Sequence, residues 1–205
     1  MRQVESEGTI LPVVAHQPGT RVIASGLWKW LQGTGLERFE FVRAGEEWIF
    51  RGTIVTMAGS EGAEARYEIF CDSSFRTKSA QVLVRTESVE RTLQIKLENG
   101  RWYENGHENP TVRRAVDIDL GWSPCTNTLP IRRLDLKLGD SSGEIVAAWV
   151  RFPELVLEPL PQEYLRISEN KYRYTSRGGA FSAELLVDEN GLVVDYERFW
   201  RRVQW

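Results

Sequence analysis

The sequence predicts a mainly β protein: one large, curved antiparallel sheet rolled around a single short α-helix, as in a spiral β-roll or incomplete barrel. Three observations point there. Apolar residues recur with period two in several segments. Tight turn signals between segments favour antiparallel neighbours. Helical spacing is confined to two short stretches. A sheet with one wet and one dry face must bury the dry one, and with so little helix the sheet is expected to curl on itself. No alternation of strands and helices suggests a Rossmann-type sheet.

Taken in order, residues 1–25 carry Pro12, Pro18 and Gly19 and read as an arm that can pair as an edge strand. A β-roll over 26–200 and a tail over 201–205 complete a single domain. Trp28 and Trp30 are same-face neighbours in Leu27–Leu31. Tyr67, Ile69 and Cys71 alternate with Arg66, Glu68, Phe70 and Asp72, and Leu93, Ile95 and Leu97 alternate with Thr92, Gln94, Lys96 and Glu98. Asn99-Gly100, both tolerant of positive φ, marks a hairpin to Trp102–Tyr103. The best helix candidate is a short one within Pro124–Leu134, with Asn127 or Thr128 placed to cap its start and Pro130 in the first turn, where a missing N–H is tolerated. Leu134, Leu136 and Leu138 alternate with Arg133, Asp135 and Lys137 and predict a strand, joined by Asp140–Gly143 to Ile145–Phe152. Asp188–Gly191 joins Phe181–Val187 to Leu192–Tyr196. Tyr196, Phe199, Trp200 and Val203 follow helical spacing, although an extended ending fits them equally.

At 205 residues the chain suits one domain with a substantial core. A net charge of −3 supplies no positive field, so nucleic acid is not an expected partner. The start Met1–Gly8 lacks a secretory signal, and no apolar run is long enough to span a bilayer as a helix. The expectation is a cytoplasmic protein without integral membrane association. Cys71 and Cys125 read as buried free thiols. His16 and His107 are too scattered for a metal site, and no motif calls for a cofactor.

The stretch Asp117–Leu134 concentrates acid, amide, hydroxyl and guanidinium groups. In a strand, Asp117 and Asp119 share one face, roughly 7 Å apart. Carboxylates accept strong hydrogen bonds from sugar hydroxyls. The spacing also resembles that of inverting glycosidases, but side chains on one strand point in parallel rather than across a bond. Arg132 and Arg133 suit either an anion or the acids nearby. Thr126, Asn127 and Thr128 can line a sugar-binding wall or simply turn the backbone. With eight tryptophans, stacked indoles are available for sugar faces or acyl chains.

The run Thr126–Leu134 resembles the signature of a bacterial family, the putative glycolipid-binding proteins, formerly a domain of unknown function. Tyr67-Glu68-Ile69 with Asp72 and Phe75-Arg76-Thr77 is similar to the family's strand and turn. Ala147–Val150, Phe152-Pro153, Gln162-Glu163-Tyr164 and Val187–Tyr196 follow in the family's order. Cys125 stands where the family usually has an aromatic. The resemblance covers roughly Leu27 to Arg201 and implies the rolled sheet and a glycolipid or related conjugate as ligand. The expected function is non-catalytic binding in an acidic-rimmed pocket. Its candidate residues are Asp117, Asp119, Asn127 and Arg132, backed by Asp72, Tyr67 and Trp28. The rivals are a hydrolase using paired carboxylates and a structural or interaction protein. The aromatic content makes a homodimer plausible.

Overall fold

A computed structural model describes residues 19–203. The N-terminal part of the expected arm, with His16, and the last two residues of the expected tail lie outside the described residues. The chain begins with a meander of long strands: β1 Thr20–Trp30, β2 Gly35–Ala44, β3 Glu47–Ala58, β4 Glu61–Cys71, β5 Thr77–Thr86 and β6 Glu90–Glu98. Two short strands follow, β7 Arg101–Glu104 and β8 His107–Glu108. After β9, Asp117–Leu120, a 3-10 turn over Pro124–Asn127 leads into helix α1, Thr128–Leu134. A second meander closes the chain: β10 Ile145–Val150, β11 Leu157–Ser168, β12 Lys171–Ser176, β13 Phe181–Val187, β14 Val193–Tyr196 and β15 Trp200–Arg202.

The fifteen strands of the described residues form one sheet, ordered β8-β7-β6-β5-β4-β3-β2-β1-β15-β14-β13-β12-β11-β10-β9. The expected roll is wrong. The sheet is open and not strongly curled, and its end strands β8 and β9 do not pair. The dry face is covered by connecting segments instead. Val112, Ala115, Cys125, Leu129 and Leu155 join the strand side chains in the main core. The free edge of β9 meets side chains rather than a strand. Ile118 N donates to Thr77 Oγ1 at 3.1 Å and Leu120 N to Thr126 Oγ1 at 3.2 Å. Those bonds satisfy the edge without a further ladder.

The sheet is not wholly antiparallel either. β9 runs parallel to β10, pairing Asp117 with Ala147 and Leu120 with Val150. A parallel pair needs a long crossover, and the segment carrying α1 provides it. The helix lies where the sequence placed it, but Asn127 makes no side-chain cap bond. The preceding turn is capped by Ser123, whose Oγ accepts from Cys125 N at 3.2 Å. The strand expected over Leu134–Leu138 does not form. Leu134 ends the helix and Asp135 turns left-handed at φ 44°, ψ 48°. Leu138, with no strand partner, is 69% exposed. The Asn99-Gly100 hairpin forms with φ of 51° and 74°.

The helical spacing at the C-terminus resolves as strand. Trp200–Arg202 fits between β14 and β1, pairing Trp200 with Tyr196 and Trp30. Two unpaired edges there offer ladder hydrogen bonds on both sides, which outweighs a weak helical period. The expected tail boundary at 200/201 therefore falls inside a strand. The end of the expected arm, Thr20–Ser25, belongs to β1 and pairs with β2.

Candidate functional site: an aromatic cleft over a buried carboxyl

Where β1, β3, β10, β13, β14 and β15 converge, a cleft of about 430 Å³ opens. Four tryptophans line it, Trp30, Trp122, Trp149 and Trp200. Phe152, Phe181, Tyr196 and Phe199 add four more rings, and among the described residues Arg151 is its one charged lining residue. Trp30 and Trp200 are neighbours because β1 pairs with β15, and their rings stack at 6.2 Å. Trp149 lies over the backbone at Gly121, where a Cβ would sit 2.0 Å from its Nε1. A side chain at position 121 would therefore push the indole out of place. The volume is in the range of small-molecule sites, which are typically apolar with a few fixed polar groups.

The polar group behind this cleft is Glu37. It lies directly opposite Ile54, a lining residue, so both side chains leave the same face of the sheet. Glu37 is 0% exposed. Its Oε1 accepts from Tyr67 Oη at 2.5 Å and Ser123 Oγ at 2.8 Å. Its Oε2 has no hydrogen-bond partner among the described residues, and neither has the buried Nε1 of Trp122. Burial raises the Glu37 pKa to about 8, against the smaller lowering effect of the two hydroxyls. The carboxyl is therefore neutral at pH 7. Trp122, next to Ser123, packs edge-on against Tyr67 at 6.0 Å and lines the cleft.

Of the residues singled out in the sequence, Tyr67 belongs to this assembly. Trp28 lies beside it in the core, opposite Glu37 in register. The Trp28 ring stacks on Phe39 at 3.7 Å and its Nε1 donates to Val193 O at 2.7 Å. The remaining candidates lie elsewhere and do not line the cleft. Asp117 is buried in a bidentate ion pair with Arg133, at 3.0 and 2.6 Å. Burial raises its pKa, partly offset by that guanidinium. Asp119 accepts from Gln162 Nε2, and burial lifts its pKa to about 6. Asn127 donates to Pro124 O at 3.2 Å and accepts from Tyr164 Oη at 3.0 Å. Arg132 is exposed, over the Phe75 ring at 5.1 Å, and borders a separate polar hollow of about 680 Å³. Asp72 builds a turn, accepting from Ser74 N and Arg76 N at 2.8 and 2.9 Å.

Glu37 was missed in the sequence, although a signal was present. Phe39 and Phe41 share its period-two phase and are buried, so alternation places Glu37 on the dry face. A lone acid in phase with phenylalanines is a buried carboxyl waiting for partners. The cleft itself had no local signal, because its walls come from six separate segments.

Among the described residues, no group of three or more His, Cys, Asp or Glu side chains is placed to hold a metal. No helix among them is long and apolar enough to cross a membrane. No curated protein matches the chain. A crystal structure of a DUF1089 family protein from Pseudomonas aeruginosa is similar, with 30% sequence identity and a TM-score of 0.76. The match covers 88% of this chain and 97% of that one. A family model described as "Putative glycolipid-binding" matches residues 26–202. The chain belongs to that family.

Proposed function

We propose that this protein binds an amphipathic small molecule of the glycolipid type, with the apolar part held in the aromatic cleft. One observation carries the reading: eight aromatic side chains from separate strands and loops line a single cavity. Aromatic walls bind acyl chains by apolar contact and sugar faces by stacking. Family membership supports a binding role. The acidic rim expected from Asp117 and Asp119 is not part of this cleft, so the polar recognition in this proposal falls to Arg151 and the groups around Trp122.

Calorimetric titration with dodecyl maltoside, kept below its micelle-forming concentration, tests the reading. Saturable binding is expected, weakened about tenfold or more by Trp149→Ala. A wild-type protein that takes up neither this amphiphile nor its acyl-ester analogues would remove the basis for the proposal.

A further inference from the structure

Glu37 and Trp122 each hold a polar atom in reserve. Both known donors to Glu37, Tyr67 and Ser123, converge on Oε1. With Oε1 occupied twice, the proton of the neutral carboxyl belongs on Oε2. Oε2–H is then a buried donor without an acceptor, and Trp122 Nε1–H is a second. Buried donors left unmade cost free energy, and a native structure normally satisfies them. The two flank one feature: Trp122 lines the cleft, and Glu37 lies across the strand pair from its lining residue Ile54.

We propose that Glu37 Oε2 and Trp122 Nε1 form the polar floor of the cleft and take an uncharged carbonyl oxygen, that of an acyl ester or amide. Two donors select an acceptor, so a ligand hydroxyl is not required. The groups acting on Glu37 are the hydroxyls of Tyr67 and Ser123, and no cation is among them. Arg151 of the cleft is already paired with Glu158, so with no cation at Glu37 an anionic phosphate or carboxylate at this floor would carry a high desolvation cost. A carbonyl oxygen carries the acceptor without the charge. It also sits where an amphiphile joins its apolar chain to its polar head, so one ligand can fill the aromatic walls and reach the floor together. This inference deepens the cleft reading and rests on it.

The site has a built-in pH signature. Loss of the Glu37 proton converts Oε2 from donor to acceptor and sets it against a carbonyl. The other titratable groups around it are Tyr67 and Cys125, both raised by burial above their ordinary values. Between about pH 7 and about pH 9.5, Glu37 is therefore the group that changes charge.

Titrations should compare sucrose monolaurate (ester), lauroyl-N-methylglucamide (amide) and dodecyl maltoside (ether), which have twelve-carbon chains. At about pH 7 wild type is expected to prefer at least one carbonyl ligand over the ether by about tenfold, and which one tells ester from amide. That preference should disappear by about pH 9.5. Glu37→Gln keeps an N–H donor at the Oε2 position, so it should retain the preference at both pH values. Trp122→Phe keeps an aromatic ring and removes the N–H, and should reduce the preference at pH 7. Equal affinity of wild type for all three ligands would overturn the carbonyl floor while leaving the cleft reading intact. A preference unchanged by pH and by both variants would overturn it too. Failure of all three to bind would instead reject the cleft reading.

Discussion

Glu37 owes its behaviour to its surroundings rather than to its chemistry. An ordinary glutamate is charged at neutral pH, but this one is fully buried, with two hydroxyls on it and no cation among the groups that shift it. The sign of its effect on stability follows. The unfolded chain releases the proton near 4.5, whereas the folded chain keeps it to about 8. The stabilisation is complete below about 4.5 and is lost as pH rises through about 8. The loss is on the order of 3–5 kcal/mol. Thermal melts of wild type should fall in Tm across that window, whereas Glu37→Gln should be nearly flat above about pH 6, once Asp119 has also lost its proton. A wild-type profile as flat as the variant's would mean that the carboxyl ionises normally. Close contacts make two glycines equally informative. A Cβ at Gly52 would lie 2.6 Å from Tyr67 Oη. Gly52→Ala should cost roughly 1–3 kcal/mol in denaturant unfolding, the usual penalty of overpacking. Gly121→Ala, by displacing Trp149, should weaken amphiphile binding by more than it lowers Tm. Equal affinity in this variant would mean that Trp149 is not a wall the ligand uses.

At the scale of elements, the run from Thr126 to Arg133 ties helix α1 to three other parts of the chain. Thr126 Oγ1 accepts from Leu120 N in β9 at 3.2 Å, and Thr128 Oγ1 donates to Gly191 O at 2.9 Å. Asn127 meets Tyr164 in β11, and Arg133 holds Asp117. A seven-residue helix is too short to be stable alone, so these tertiary bonds fix it in place. The Arg133–Asp117 pair is the strongest test. Its side chains are only 10% and 4% exposed. Arg133→Ala leaves a buried carboxylate unpaired and should cost about 3–5 kcal/mol. Adding Asp117→Asn should recover part of that loss in urea unfolding. If Arg133→Ala melts like wild type, the pair contributes no more than a surface contact. The signature was legible in the sequence as a dense polar cluster, and the helix with it. Its partners were not, because Tyr164, Gly191 and Asp117 reach it from far along the chain or from another element.

For the molecule as a whole, the open sheet leaves two ends to protect. The β9 end is closed off by Thr77 and Thr126, and the β8 end is only two residues long. Short or covered edges limit edge-to-edge association. Ligand binding to such a structure should raise its stability by mass action, by about 2.7 kcal/mol at a hundredfold excess over Kd. Melts with increasing sucrose monolaurate should therefore rise continuously in Tm, and a constant Tm would contradict binding to the folded state.

Period-two patterning and turn chemistry, both local, determined that this chain is mainly β, where most strands lie, that Asn99-Gly100 is a hairpin and that Pro124–Leu134 is helical. A motif of nine residues was enough to point to its family. Tertiary structure alone decided that the sheet stays open, that β9 and β10 run parallel, and that Trp200–Arg202 joins β1 as a strand. It also decided that Asp117 serves Arg133 while Glu37 is buried against Tyr67 and Ser123. The physical reason is the same in each case. Edge pairing, burial and the protonation of a carboxyl depend on what distant segments bring alongside, and no window of neighbouring residues contains that information.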